Sequence, residues 1–241
     1  MLLLKHLHIL PMAGPGPMNG DILLENGKIR ALGRELSAPG AQVLELEGLY
    51  AMPGMVDAHC HIGMWEDGNM IEGDDGNETS GPITPELRAI DAINPFDRCF
   101  AEACAAGVTA CVTGPGSANV IGGQFAALKT RPGSVEDKLI QAPKLLHDQG
   151  IEFALMTDHP VVPLQYLPVC AALAVREGLD EDTALKAITL HGARAVGLED
   201  RLGSLEPGKD GDVAIFRGHP LDVRSRCVMT LIDGQIVHDQ R

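Results

Sequence analysis

Short apolar runs separated by turn signals dominate the beginning of the chain. The runs that predict strands here are residues 2–10, 20–24, 28–32 and 42–46. The dipeptide Asn26-Gly27 separates the second run from the third. Because both residues tolerate a positive φ, this pair predicts a two-residue turn that joins the two strands as a hairpin.

The end of the chain repeats this pattern. Residues 212–216 and 227–232 are strand-like, and Asp233-Gly234 predicts a turn that reverses the second of them. Neither end has enough strands to bury a sheet face by itself. We therefore expect residues 1–52 and 200–241 to pair into one small β-sandwich domain, into which the middle of the chain is inserted.

The middle, residues 53–199, has the alternation of strands and helices that predicts an α/β domain. Buried strands are predicted before residue 60, over residues 108–113 and over residues 151–157. The predicted helices are residues 96–106, 134–149, 168–177 and 181–195, with a further turn of helix after an N-cap at Thr84.

Two histidines stand at the end of the first of these strands. Successive strand side chains point to opposite faces, so His59 and His61 share one face and Cys60 points to the other. Two imidazoles on one rigid face suit a transition-metal ion. The alternative is one buried core histidine and one exposed histidine, but the position where a buried strand emerges favours a site.

The third predicted strand of the middle segment delivers Asp158 and His159 at its end. A carboxylate in this position can bind a metal or take a proton as a general base. An aspartate at a strand end is equally typical of a turn or a cap, so Asp158 alone leaves both interpretations open.

Two loops lie near these residues in the predicted fold. Residues 114–124 form a glycine-rich loop that can cradle a phosphate, but its spacing matches neither dinucleotide-binding nor P-loop motifs, which favours a loop that shapes a substrate site over phosphate binding. Residues 66–78 are acidic, and they form either a solvated loop, which is the commoner case, or a surface that selects cationic ligands.

The composition excludes several classes of partner. The net charge is −14 and basic residues form no cluster, which argues against nucleic acid and against an anionic membrane surface. The first ten residues are too short and too interrupted for a transmembrane helix. Six cysteines without a disulfide-framework spacing predict reduced thiols and a cytoplasmic protein.

Three motifs together resemble the metal-dependent amidohydrolases, and more narrowly the imidazolonepropionase-like and related cyclic-amide hydrolases. They are PGMVDAHCH at residues 53–61, MTDHP at residues 156–160 and GSLEPGKDGDV at residues 203–213, in the order that the family has. The family fold is a (β/α)8 barrel carried on a β-sandwich built from both termini. The predicted pairing of the two ends of this chain is similar to that arrangement.

The resemblance implies roles for specific residues. His59 and His61 are implied as metal ligands, and Asp158 as the carboxylate that binds the metal and activates the hydrolytic water. The implied cofactor is Zn²⁺ or another divalent transition metal, and the implied reaction is hydrolysis of a non-peptide C–N bond of a cyclic amide. Candidate substrate contacts are Asn119 and Gln124 in the glycine-rich loop and His159 beside Asp158.

The middle segment is shorter than the family barrel. Eight strands with their helices take about 250 residues, whereas residues 53–199 number about 150. The three readable strands resemble the first, second and eighth, with a join near residues 141–144. The fold class predicted is therefore a partial (β/α)8 barrel plus the β-sandwich, without the family's ligands from strands four to six; His147 and His191 do not stand at those positions.

The shortening leaves two questions open. Asp158 reaches the histidines if the third strand lies beside the first, as in the family, but crossover handedness favours a place beyond the second strand. Unpaired strand edges also predict a homo-oligomer. The alternative to a hydrolase is an inactive shortened relative that serves as a binding or oligomerisation module, and a deaminase of the same superfamily is a third interpretation.

Overall fold

A computed structural model of the chain describes residues 1–14, 16–65, 73–81, 83–84, 86–119, 122–138, 154–160, 162–176 and 179–241. In these ranges the strands are β1 (Leu2–Ile9), β2 (Met18–Glu25), β3 (Lys28–Gly33), β4 (Gln42–Glu45), β5 (Tyr50–Pro53), β6 (Met55–Cys60), β7 (Val108–Thr113), β8 (Ala126–Lys129), β9 (Val213–Arg217), β10 (Arg226–Ile232) and β11 (Gln235–Asp239). The helices are α1 (Ala89–Ala92), α2 (Arg98–Ala105), α3 (Val135–Lys138), α4 (Leu167–Arg176), α5 (Glu181–Ala187) and α6 (Leu190–Ala195), with a 3₁₀ turn (Leu164–Tyr166) before α4. The architecture is mixed α/β, as predicted.

Strands from both ends of the chain lie in one eight-stranded sheet. Its order is β11-β10-β9-β5-β1-β2-β3, and β4 pairs with β1 in addition. The two ends meet where β5 runs antiparallel to β9, with Tyr50 opposite Phe216 and Pro53 opposite Val213. The predicted joining of the two ends is present in this sheet, whereas the sandwich form and the domain boundaries remain predictions.

Both predicted hairpins have the backbone that their sequences require. Asn26 and Gly27 have φ angles of 51° and 78°, and Asp233 and Gly234 have φ angles of 50° and 71°. Two consecutive positive φ angles are the signature of the type I′ turn, whose twist matches that of the flanking strands. Local chemistry therefore determines the register of these two strand pairs.

A second sheet carries the segment with the two histidines. Its order is β6-β7-β8, and β6 runs parallel to β7 through the crossover helix α2. Helix α2 ends at Ala105, and Gly107, two residues later, has a φ of 87° and makes the predicted helix exit. Strand β8, which was not predicted from the sequence, pairs antiparallel with β7.

The third predicted strand is not a strand in its described part. Residues 154–157 lie outside any ladder, and residues 151–153 lie outside the described residues. Hydrogen bonds nevertheless hold this segment beside β6: the Thr157 N–H donates to Asp57 Oδ2, and the His61 N–H donates to the carbonyl of His159, at 3.0 and 2.9 Å. The segment therefore lies next to β6, the first strand of this sheet, rather than beyond β7.

Several predicted helices differ in their limits. The predicted helix 181–195 is broken into α5 and α6, and the carbonyl of Ile188 at the break accepts a hydrogen bond from the Val56 N–H of β6. The helix expected after Thr84 begins only after Arg88. Of the predicted helix 134–149 the first turn is α3; the join at residues 141–144 and His147 lie outside the described residues.

Among the described residues, no helix is both long enough and apolar enough to cross a membrane.

Candidate metal centre

The two histidines lie at the end of β6 on one side of the strand. Their ring centroids are 5.1 Å apart, and the ring planes are nearly perpendicular. Cys60 between them is fully buried, and its thiol donates a long hydrogen bond of 3.5 Å to the carbonyl of Val112. The alternation expected of a strand therefore directs both imidazoles to one side and the thiol into the core.

Asp158 completes a group of three possible ligands. Its Oδ1 lies 3.2 Å from His61 Nε2 and 3.5 Å from His59 Nε2. One ligand atom from each residue lies within 4.8 Å of the others. The side chains of Asp158 and His59 are about two-fifths exposed, whereas that of His61 is nearly buried. The group is therefore open to solvent on one side.

The ring of His61 is fixed by a backbone carbonyl. Its Nδ1–H donates to the oxygen of Gly114 at 2.6 Å. This bond sets the tautomer and leaves the lone pair of Nε2 facing Asp158, which is the arrangement expected of a metal-binding imidazole. Burial and the neighbouring His61 lower the pKa of His59, so its neutral, ligand-competent form is also favoured.

Trp65 forms a wall behind His61. The two rings meet edge to face, with centroids 4.6 Å apart. A Cβ built at Gly76 would lie 2.2 Å from the indole, and one at Gly116 would lie 2.9 Å from it. The glycines in these two loops are therefore needed for close packing on Trp65, a role that the glycine-rich pattern did not reveal.

Asp57 links the histidine strand to the segment that bears Asp158, a role that was not predicted from the sequence. Its Oδ2 accepts hydrogen bonds from the N–H and the hydroxyl of Thr157, at 3.0 and 2.7 Å, and its Oδ1 accepts one from the N–H of His59. Burial raises the pKa of Asp57 to about 6, although these hydrogen bonds oppose the rise. The feature of the sequence that could have revealed this role is a single carboxylate inside an apolar run.

The three predicted substrate contacts are placed differently from one another. The amide of Asn119 donates to the carbonyls of Glu78 and Gly81, both at 2.9 Å, so it ties two loops together. Asn119 also lines a cavity of about 430 Å³.

The other two predicted contacts are Gln124 and His159. Gln124 donates its backbone N–H to the carbonyl of Leu87. His159 is buried, and its Nδ1 accepts a hydrogen bond from the Leu164 N–H. Substrate contact by these side chains remains a prediction.

The donor set suits a small divalent metal ion. Two imidazole nitrogens and one carboxylate oxygen converge, and a partly exposed side leaves room for a further ligand. Three protein ligands with one open position is the pattern of catalytic zinc sites. The residues present therefore fit such an ion.

Sequence comparison identifies the family. A model described as "Amidohydrolase family" matches residues 105–238, which is more than half of the chain. The chain belongs to the amidohydrolase family. Enzymes of the amidohydrolase superfamily are metal-dependent, which agrees with the donor set at the end of β6.

Individual amidohydrolases match parts of the chain. Amidohydrolase tasK of Hapsidospora irregularis is 36% identical over 118 residues, which are 47% of this chain and 12% of that protein. A dihydroorotase of Ruminiclostridium cellulolyticum is 39% identical over 61 residues, which are 25% of this chain and 14% of that enzyme. The matches thus cover a small share of these curated relatives.

A solved structure shares the fold. The amidohydrolase from Thermotoga maritima superimposes with a TM-score of 0.94 at 26% sequence identity. The superposition covers 99% of this chain and 100% of that chain. The larger sheet, the sheet with the histidines and the helices around it therefore correspond to an amidohydrolase arrangement.

Proposed function

We propose that this amidohydrolase uses a bound metal ion to hydrolyse a non-peptide C–N bond, and that its substrate is a cyclic amide. The observation that carries the proposal is the convergence of His59, His61 and Asp158, which come from segments about a hundred positions apart. The relative named dihydroorotase supports the cyclic-amide class.

The proposed metal is zinc, because two imidazoles and one carboxylate form a ligand set that zinc commonly takes. His59 and His61 would supply nitrogen ligands, and Asp158 an oxygen ligand. When bound, zinc would lower the pKa of a water molecule to about 7 and polarise the substrate carbonyl.

The protein's own residues would supply proton transfer and position. Asp158 is a partly exposed carboxylate beside both imidazoles, so it would accept the proton of the attacking water and pass it to the leaving nitrogen. The carbonyl of Gly114 holds His61 in one orientation. Asp57 holds Thr157, and so fixes the backbone next to Asp158.

The test combines metal content with turnover. The full chain is loaded with zinc, its metal is measured by elemental analysis, and hydrolysis of dihydroorotate and hydantoin is followed. Trp65, the single tryptophan, lies against His61, so its fluorescence should change when zinc binds. We expect about one zinc per chain and measurable ring opening of at least one of the two substrates.

Two variants make this test specific. His61→Ala should abolish both zinc binding and turnover, because it removes the ligand whose ring is held by the Gly114 carbonyl. His238→Ala, in the edge strand β11 of the other sheet, should change neither. A chain that stays metal-free and inactive after zinc reconstitution would support the inactive binding or oligomerisation module instead.

A further inference from the structure

Phe125 stands beside the candidate metal centre without belonging to it. Its ring centroid is 5.3 Å from that of His59, and the two planes are tilted by 33°. The side chain directly precedes β8 and is 43% exposed. A large aromatic ring is thus held at the open side of the site, next to the more exposed of the two histidines.

The backbone of Gly114 provides the space that this ring occupies. A Cβ built at Gly114 would lie 2.3 Å from the Phe125 ring, so any other residue there would displace the ring. The carbonyl of the same glycine accepts the hydrogen bond from His61 Nδ1. One residue therefore positions both the metal-facing imidazole and the aromatic ring.

We propose that the exposed part of the Phe125 ring is a stacking surface for a flat substrate ring, and that the site consequently selects planar, unsaturated cyclic amides over puckered, saturated ones. Aromatic rings attract other flat π-systems in offset or edge contacts, and these contacts add to the burial of apolar area. A puckered ring presents no flat face to the phenyl group. The inference rests on the proposed function, because it places the substrate in the same site.

The test uses two ligands that share a cyclic imide and differ in the carbocycle fused to it. Phthalimide and cis-hexahydrophthalimide carry the same cyclic imide, but the first has a flat aromatic ring and the second a puckered saturated ring. Each is titrated into the zinc-loaded full chain, with binding followed by ligand-detected NMR. We expect phthalimide to bind about fivefold more tightly, the size of effect that one aromatic contact gives.

Three variants assign the preference to Phe125. Phe125→Leu should reduce the ratio of the two affinities to about one, since leucine keeps an apolar side chain without a π face. Phe125→Tyr should keep the preference. Phe96→Leu is the matched control, because Phe96 is 80% exposed at a position just before α2, and its variant should behave like the unmodified protein. Zinc content should be the same in all four proteins.

The outcomes separate this inference from the proposed function. Equal affinity for the two imides, binding of neither, or a preference that survives in Phe125→Leu would overturn the stacking role. The titrations do not depend on turnover. A protein that prefers phthalimide but hydrolyses no cyclic amide would therefore overturn the proposed function and leave the stacking surface standing.

Discussion

Two groups of charged side chains in this protein can be compared directly. One is the candidate metal centre of His59, His61 and Asp158. The other, which we call the lysine cluster, lies between β8 and the C-terminal strands of the larger sheet and consists of Lys129 with Asp210, Asp212 and Asp233. Both bring together residues far apart in the chain.

The lysine cluster is closed and neutralised by its own side chains. Lys129 is 4% exposed, and it contacts Asp212 directly and Asp210 at 3.2 Å. Lys28 and Arg201 also pair with Asp210, and Arg131 pairs with Asp233. Burial would lower the pKa of Lys129, but the attraction of the surrounding carboxylates outweighs it and raises this pKa. Four cations thus face three carboxylates, and the cluster needs no external ion.

The candidate metal centre has the opposite balance of cationic and acidic side chains. Among the described residues, the ion-pair contacts of Asp158 are with the two histidines, which carry charge only when protonated. Asp57 adds a second carboxyl group nearby. Because this group is partly exposed and no lysine or arginine pairs with Asp158 in the part of the chain that the structure describes, it can accept a cation from solution. The comparison favours a stabilising role for the lysine cluster and agrees with the proposed metal-binding role of His59, His61 and Asp158.

The largest expected effect comes from Asp158→Asn. This variant keeps the size of the side chain but removes the proposed proton acceptor and weakens one ligand. Turnover should fall by about 100-fold or more, the usual contribution of a general base. The free energy of unfolding of the metal-free protein should change little, because Asp158 is 41% exposed. Steady-state kinetics and urea unfolding of the same preparation measure both quantities.

Lys129→Met should produce the reverse pattern. It removes the buried cation and leaves the carboxylates of Asp212 and Asp233 without their central partner, so we expect a loss of stability of about 3 to 5 kcal/mol. Zinc content per folded chain should be unchanged. Lys186→Met is the matched control, since Lys186 pairs with Asp182 on the surface of α5 and should change stability by no more than about 0.5 kcal/mol. Equal losses in the two lysine variants would contradict a stabilising role for the cluster.

The sequence was informative where local chemistry decides the structure. Asn26-Gly27 and Asp233-Gly234 permit few conformations other than their turns, and the apolar run of β7 is buried over the limits expected from its sequence. The glycine that follows α2, Gly107, likewise specifies the end of its helix through its own backbone conformation. In each case the residues that specify the element lie within it.

Prediction failed where distant residues decide. Residues 154–157 looked like a strand, but this segment is held by bonds to Asp57 and to the carbonyl of Ala187 instead of a ladder. Strand β8 was missed because its short run of alanine, leucine and lysine has weak strand character. The partners of Lys129 stand 81 and 83 positions away, so no local pattern shows that this lysine is buried.

Asp57 shares a feature with each of the two charged groups. It is buried like the lysine cluster, yet it bonds to residues beside the candidate metal centre. Its carboxyl group accepts hydrogen bonds from Thr157 N–H, Thr157 Oγ1 and His59 N–H, and these bonds use both of its oxygens. An asparagine side chain at this position would have the same size, but an amide has only one acceptor oxygen. The substitution therefore removes acceptors without leaving a cavity.

We therefore expect Asp57→Asn to shift the segment that carries Asp158 and to weaken zinc binding by about 10- to 100-fold, the usual effect of losing a group that orients metal ligands. Zinc titration followed by Trp65 fluorescence gives the affinity. Asp21→Asn is the matched control: Asp21 is equally buried and accepts the N–H groups of His6 and Leu36, but it lies in the larger sheet. Both variants should lose stability and only Asp57→Asn should lose zinc affinity. If the two lose affinity alike, the effect comes from general destabilisation, and Asp57 does not position the ligands.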